Sequence, residues 1–559
     1  MQEKKLTGYP SIDKPWLKYY KKTIRLEKSK SIYEHYLSIA KSCPDEIAFI
    51  DYRSGYKLTH DQLLNQADLL ALSFIKNGFS AKSMIGLLGF NCSVDPIALL
   101  AVNKIGATLK FVDPDNNPMG MASNIVGLDL LILENVFLPL EPIINTKGIP
   151  VVIYGEHNET VRENCVQYDC YVNSNENNQL DSPATIDEAD SPAVIIYSSG
   201  STGVAKPIVH SNRTILSAVE KMLSSDFPIC KDNVIIKAIP SHIGLGSITT
   251  MTTSLLSGMT YIQLKGLPEP VEGLANDTVG VLANYKKWMK ENELDSSKGL
   301  LLFAAPYFAD FIVKAIDTID DLSFVKGILL GGAKMEKESL DSMELVLNQK
   351  GLSVPICNGY GQNEMAGAVA LNTVHHNKNG SAGYPVMDLE IKVVDRETLE
   401  EVPYNQTGLI VEQSTSAFLR YHNLNELTAK TRIELPDKSI WYDSNDLGYI
   451  DEDGFIFITG RTNRVIIRAD HKISLTAIEE KINTLDMVES VAVVSNTKNN
   501  VVVFVCTNMD KETIETAIKS TVNLTAYEMP DIVLAVNEIP RMNNGKVDYQ
   551  TLEKEAERL

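Results

Sequence analysis

The chain has 559 residues, of which 44% are hydrophobic and 22% charged, the proportions of a folded globular protein rather than a disordered one. At roughly 150 residues per domain, this length calls for three to four structural units. Its 52 basic and 72 acidic side chains leave a formal charge of −20, which offers nothing to a nucleic-acid backbone or an anionic membrane without a local basic patch. Seven cysteines, an odd number with no C-x-x-C pair, suit neither a disulfide framework nor a zinc cage. The N-terminal MQEKKLTGYPSIDKP lacks the apolar core of a signal peptide. The most apolar stretch, Leu300 to Ile316, is broken by Pro306, Asp310 and Lys314, falls short of a bilayer span and reads as core strand and helix. The expectation is a cytoplasmic protein with no transmembrane segment and no nucleic-acid partner.

From Ile32 onward, helical periodicity alternates with short β-branched runs. IYEHYLSIAKSC puts Ile32, Tyr36, Leu37 and Ala40 on one helical face. IAFIDY follows as a strand, and LTHDQLLNQADLLALSFIKNG as a helix stopped by Gly78. PIALLAVNKIG reads as a helix between the strands MIGLLGF and TLKFVD. LILEN, VVIYGE, AVIIYSS, VIIKAIP, TYIQL and KGILLGG continue the rhythm, which predicts parallel or mixed sheets covered by helices. After about Thr407 the pattern changes to hairpins, with Gly408 to Glu412 and Ile440 to Ile458 as strand formers around Asp451, Asp453 and Gly454. Beyond Gly460, RVIIRA, SLTAIEEKINTL, SVAVVSN, VVVFVCT, KETIETAIKSTV and DIVLAVN form a compact α+β alternation, about 100 residues long and sufficient for a separate domain. The boundary falls near Gly460 to Arg464, a short joint of the kind that hinges.

Four local patterns could carry chemistry. In YSSGSTGVAKP the strand AVIIY runs into Ser198, Ser199, Gly200, Ser201, Thr202 and Gly203, with Lys206 just beyond. Glycines let backbone N–H groups converge on an anion, hydroxyls add donors and the lysine adds charge. The spacing is not that of a Walker A loop, and taken alone the composition also fits a polar turn. In ILLGGAK and VPICNGYGQNE, Gly331 and Gly332 permit close approach of a flat ligand, Tyr360 offers an aromatic face, and Glu364 a carboxylate for a hydrated metal. Asp446 in WYDSNDLGYIDEDG and Lys546 in PRMNNGKVDY sit among turn residues and in isolation read as hairpin chemistry.

The order and spacing of these four patterns resemble the adenylate-forming superfamily of acyl-CoA synthetases, peptide-synthetase adenylation domains and luciferases. YSSGSTGVAKP is similar to its signature loop, YGQNE to its Y-G-x-T-E element, SNDLGYIDEDGFIFITGR to its T-G-D-L-G…G-R block, and IPRMNNGKVD to its P-R-T-x-x-G-K segment. LTHDQLLNQADLLALSF and GATLKFVDPDNNP also resemble core elements of that family, so the resemblance spans the chain from about residue 32. It implies an α/β protein: a large N-terminal body of two sheet-based lobes plus a β-barrel, and a small mobile α+β C-terminal domain. The expected division is an extension over residues 1–31, an AMP-binding adenylation domain over 32–460 and a lid over 461–559.

The same resemblance implies roles. Ser198 to Gly203 and Lys206 would hold the ATP phosphates, and Gly331, Gly332, Ala333 and Tyr360 would frame the adenine. Asp446 would take the ribose hydroxyls with Arg461 beside it, and Thr202 and Glu364 would help place Mg²⁺. Lys546 would contact the acyl carboxylate and the bridging oxygen. A carboxylate that attacks a phosphate brings two anions together, and each preorganised donor is worth about 3 kcal/mol at such a transition state. His242 in PSHIGLG would stand in the acyl pocket, and no matching acidic residue appears there for an α-ammonium, which favours a small carboxylic acid that is not an amino acid.

The implied second step transfers the acyl group to a thiol, with the lid turning about Asn463, where the family usually has Asp or Lys. Asn363 and Asn445 replace a usual Thr and Gly, and Asp470 puts a carboxylate where the family lines its thiol tunnel with glycine. Arg461, Arg464, Arg468 and Lys472 gather charge that could meet the phosphates of CoA or an acidic carrier protein. The expectation is an ATP- and Mg²⁺-dependent ligase with CoA as thiol. The alternatives are a ligase that loads the phosphopantetheine of an acyl or peptidyl carrier protein, toward which GKVDY leans, and a non-catalytic binder of nucleotide or acyl-AMP.

Overall fold

The computed structural model describes residues 6–114, 118–145, 147–156, 165–173, 190–198, 205–265, 270–332, 337–468, 471–541 and 547–559. Strands that are apolar on both faces, such as Gly299–Ala304 and Leu130–Glu134, assemble into largely parallel sheets that helices cover on both sides. Among the described residues, one sheet has nine strands, in the order Tyr384–Pro385, Gly367–Leu371, Ile356–Gln362, Val325–Gly331, Gly299–Ala304, Asn233–Lys237, Thr260–Gln263, Ile47–Asp51 and Lys57–Thr59. The other has eight: Arg420–Tyr421, Pro207–Ser211, Pro192–Tyr197, Thr108–Phe111, Met84–Leu88, Leu130–Glu134, Val151–Tyr154 and Cys165–Gln167. Both are parallel in the middle and antiparallel at the edge that carries the functional loops.

A helical layer joins the two sheets. Helices Ile32–Ser42, His60–Lys76, Asp95–Lys104 and Asn212–Ser224 share one apolar cluster with Phe49, Tyr261 and Leu301 of the first sheet and Ile85, Leu109 and Ile196 of the second. Three of them start on reciprocal caps, Ser31 with Glu34, Thr59 with Gln62 and Ser211 with Thr214, which satisfy two otherwise free N–H groups each. Asp95–Lys104 is buried on every side, as its position between the sheets requires.

The third sheet stands where the barrel was expected. Its antiparallel strands are Leu389–Val394, Gly408–Ser414, Ile440–Ile450, Arg432–Glu434 and Ile456–Arg461. The long strand Ile440–Ile450 pairs with Arg432–Glu434 along its first half and with Ile456–Arg461 along its second. The N-terminal segment straps this sheet to the body. Trp16 is 1% exposed, Tyr19 packs its ring near Tyr384 and Phe455, Ser11 bonds Glu401 and Arg25 pairs with Asp388.

Beyond Arg464, strands Val465–Arg468 and His471–Ser474 form a ribbon, and Ser490–Ser495, Val501–Cys506 and Ile532–Val536 a three-stranded sheet, with helices Leu475–Ile482, Lys511–Thr521 and Tyr549–Ala556. Their two apolar clusters contain no residue before Ile466. No described helix is long and apolar enough to cross a membrane.

Candidate active site

The candidate site lies where strand ends of the two large sheets and the third sheet converge. Strand Pro192–Tyr197 is buried from Ala193 on. It ends at Tyr197, whose N–H donates to the carbonyl of His242 (2.8 Å) and whose carbonyl accepts from Asn363 Nδ2 (2.8 Å). Asn363 Oδ1 in turn accepts from the N–H of Gly244 (2.9 Å). Asn363, in place of the expected threonine, therefore braces the loop entry against the His242 segment through both ends of its amide. Ser198 N–H bonds the Lys206 carbonyl (3.0 Å), and Lys206 N–H returns to Ser198 Oγ (3.3 Å), which closes the base of the signature loop. Ser199, Gly200, Ser201, Thr202 and Gly203 lie outside the described residues, as do Ala333, Asp470 and Lys546. For Asn463 the backbone alone is described, in the turn Thr462–Arg464.

Glu364 stands beside this loop base. Its Oε1 accepts the phenol of Tyr421 (2.8 Å), and the Lys206 ammonium lies over the same ring at 5.7 Å. Among the described residues no hydrogen bond engages the second carboxylate oxygen of Glu364, and they contain no cluster of three or more His, Cys, Asp or Glu side chains able to hold a metal. One half-buried carboxylate with such an oxygen fits Mg²⁺, which keeps its waters and shares protein carboxylates with substrate phosphates.

The nucleoside end of the candidate site is a denser network. Gly331 pairs in register with Gly359, so Gly331, Gly332 and Tyr360 lie side by side on adjacent strands. Gly332 has φ +95°, a conformation that only glycine adopts without strain. Tyr360 donates to Asp446 Oδ2 (2.6 Å), Gln362 Nε2 donates to the same oxygen (3.0 Å), and Arg461 Nε donates to Oδ1 (2.9 Å). Asp446 is 2% exposed; these three donors offset the cost of burying its charge. The preceding residue, Asn445, has φ +59°. This accounts for the glycine expected there, since asparagine is among the few other residues that take the left-handed region readily.

Two charged residues of this network escaped the sequence reading. Glu412, on strand Gly408–Ser414, is 0% exposed, with Oε1 3.3 Å from the Tyr360 hydroxyl and Oε2 without a hydrogen-bond partner. Burial, reinforced by the Asp446 charge, pushes its carboxyl up to about 8. Lys221, on helix Asn212–Ser224, donates to Ser414 (2.7 Å) and Ser416 (2.6 Å), and burial pulls its ammonium down to about 7. The available signal was a lone charge in the otherwise apolar run GLIVE.

His242 is held below the usual imidazole range by burial, with Nδ1 unpartnered and Nε2 3.8 Å from Asp113, so it is neutral at physiological pH. Its loop rests on Ser241, which donates to Asp95, which in turn pairs with Lys237 (3.6 Å). Gly246 follows at a position where a Cβ would lie 2.3 Å from the carbonyls of Ile239 and Pro240. This glycine lies in the first turn of the π-helix Leu245–Thr252, in which Thr250 and Thr252 hydroxyls bond carbonyls five residues back. Such wide turns concentrate at functional sites.

Arg464 and Arg468 are committed elsewhere. Arg464 donates two hydrogen bonds to the Glu479 carboxylate (2.9 and 2.8 Å) with its guanidinium over the Tyr549 ring, and Arg468 meets Asp531 at 2.6 Å. These charges, which in the sequence could meet CoA phosphates or a carrier protein, here tie the small C-terminal unit together.

The chain is 24% identical over 524 residues to the peroxisomal OPC-8:0-CoA ligase 1 of Arabidopsis thaliana, covering 91% of this chain and 90% of the relative. It is 24% identical over 520 residues to the 4-chlorobenzoate–CoA ligase of Arthrobacter sp, covering 91% and 92%. Its fold matches the crystal structure of an ATP-bound RpMatB-BxBclM chimera with a TM-score of 0.79 at 19% identity, over 95% of this chain and all of the other. The AMP-binding enzyme model matches residues 38–422, and the chain belongs to that family of AMP-binding enzymes.

Proposed function

We propose that this protein is an ATP- and Mg²⁺-dependent acid–thiol ligase that joins a carboxylic acid to AMP and then transfers the acyl group to CoA. In the first step a carboxylate oxygen attacks the α-phosphorus and the bond to the bridging oxygen breaks, releasing pyrophosphate. In the second, a thiolate attacks the acyl carbon and AMP leaves. The observation that carries this reading is the convergence of Tyr360, Asp446 and Arg461 beside Glu364 and the Ser198–Lys206 loop base. A nucleoside and its phosphates are recognised at the two ends of one such cleft.

In this reading Asp446, fixed by Tyr360, Gln362 and Arg461, accepts the ribose hydroxyls, and the Gly331–Gly332 edge admits the adenine beside Tyr360. The loop from Ser198 through Ser199, Gly200, Ser201, Thr202 and Gly203 to Lys206 holds the phosphates. Glu364 and Thr202 would hold Mg²⁺, which would supply positive charge to the phosphoryl oxygens. Lys546 neutralises the charge that builds between acid and phosphate. Neutral His242 borders the acyl pocket, consistent with an acid that carries no ammonium.

CoA is the proposed thiol because curated relatives that match over 90% of the chain are named CoA ligases. The compartment we propose is the cytoplasm. The test is incubation with ATP, Mg²⁺ and a panel of small carboxylic acids, with and without CoA, read for AMP and thioester by mass spectrometry. Acid-dependent AMP together with acyl-CoA supports the reading. Acyl-AMP that CoA leaves intact but a phosphopantetheinyl carrier protein consumes would move the acceptor, and no acid-dependent AMP would reduce the protein to a binder.

A further inference from the structure

Among the described residues, Lys110 is a buried cation without a counter-ion. It lies on strand Thr108–Phe111, in register with Ile195 of the strand that ends at Tyr197, and is 3% exposed. Among the described residues its ammonium makes no hydrogen bond and no ion pair; its neighbour is the Tyr197 ring, 5.9 Å away. A buried ammonium with no acidic partner costs several kcal/mol on the order of magnitude, so a chain that keeps one has a use for its charge. Burial alone lowers its pKa, to about 8, which leaves it protonated at neutral pH.

Its surroundings are basic. His422, whose N–H bonds the Pro207 carbonyl (2.8 Å), is held below the usual imidazole range by burial and then by the charges of Lys110 and Arg420. Lys206 lies over Tyr421, next in the chain to His422. Lys110, Arg420 and Lys206, from neighbouring strands and a connection, thus stand near the exit of strand Pro192–Tyr197, in a protein of net charge −20. Of the nearby carboxylates, Glu364 is engaged by Tyr421 and Asp113 lies toward His242. A single carboxylate ligand does not call for such a gathering, whereas a diphosphate with three or more charges does.

We propose that Lys110 is a phosphate-binding residue that contacts the pyrophosphate half of ATP, and equally free pyrophosphate. This rests on the ATP reading above and adds a contact outside the signature loop. Its corollary is that the amine destabilises the empty protein and is stabilised when the polyanion binds.

The experiment is calorimetric titration of the wild type, Lys110→Met and Lys110→Arg with ATP, AMP and pyrophosphate, and a thermal melt of each without ligand. Lys110→Met is expected to weaken ATP and pyrophosphate about tenfold or more, to leave AMP within about twofold, and to melt no lower than the wild type. Lys110→Arg is expected to retain most of the ATP affinity. Equal weakening of ATP and AMP, unchanged ATP affinity, or a change confined to the KM for the acid would overturn the assignment. A wild type that binds neither ATP nor pyrophosphate would overturn the ATP reading itself, whereas wild-type binding that Lys110→Met leaves intact would remove Lys110 alone.

Discussion

Tyr360 gives its phenolic proton to Asp446 across 2.6 Å, and Asp446 takes Arg461 on its other oxygen at 2.9 Å. The tyrosine therefore does more than present an aromatic face: it aims the carboxylate proposed to hold the ribose. A hydrogen bond to a charged group contributes about 1.5–3 kcal/mol. Tyr360→Phe, which keeps the ring, should weaken ATP and AMP alike by roughly tenfold or more, measured by titration calorimetry. Weakening of ATP alone would place the tyrosine at the phosphates instead.

Behind that pair, Glu412 sets a pH dependence. Its carboxyl is pushed up to about 8 in the fold against an ordinary 4.5, first by burial and then by Asp446. Between these values the folded chain holds a proton that the unfolded chain has released, so the contribution of this carboxyl to stability is fully present below about 4.5 and is lost as pH rises through about 8. Lys221, pulled down to about 7 by burial against the opposing pull of the Glu412 charge, acts in the opposite sense above that pH. Glu412→Gln should flatten the decline between pH 5 and 8 in urea unfolding, whereas parallel slopes in the two proteins would contradict it.

Asn445 offers a backbone test. At φ +59°, Asn445→Gly should change stability by no more than about 0.5 kcal/mol, while Asn445→Val should cost about 1–3 kcal/mol because a β-branched residue is strained there. Urea midpoints read both, and equal midpoints for the two variants would deny that the left-handed turn constrains this position.

The N-terminal strap has a measurable anchor in Trp16, 1% exposed within the main apolar cluster. Trp16→Ala should cost about 3–5 kcal/mol and lower the urea midpoint of the body. An unchanged midpoint would mean that residues 7–31 ride on the surface without stabilising it.

Much of this architecture was legible in the sequence. The alternation from IYEHYLSIAKSC to KGILLGG marks strands and helices at the observed places because fully buried parallel strands need continuous apolar runs. Gly78 does follow helix His60–Lys76, with φ +86°. Tyr360, Asp446 and Arg461 were legible as motif members, and the structure brings them within hydrogen-bond reach. Burial of a charge was not legible, because whether Glu412, Lys221 or Lys110 points inward depends on register between strands far apart in the chain. Nor was the pairing of Arg464 with Glu479 and Arg468 with Asp531, since a run of cations does not reveal carboxylates 15 and 63 residues away. The helix Tyr549–Ala556 was missed as well. It buries only Leu552 and Ala556 in a charged segment, and its signal was the cap of Asp548 on Thr551 N–H.

The lysine and the hinge can be tested through the two half-reactions. Lys546→Ala should reduce acyl-AMP formation by about 100-fold or more, on the scale of losing a charged transition-state donor, while thiolysis of supplied acyl-AMP continues at a similar rate. Equal loss of both steps would argue against a lid that serves them in separate orientations.

The central claim, that this chain activates a carboxylic acid as its adenylate, is tested most directly by exchange of labelled pyrophosphate into ATP, with no thiol present. The account predicts exchange that requires both Mg²⁺ and one of the small carboxylic acids, and that Lys546→Ala abolishes. Exchange absent with every acid, or present without any acid, would contradict it.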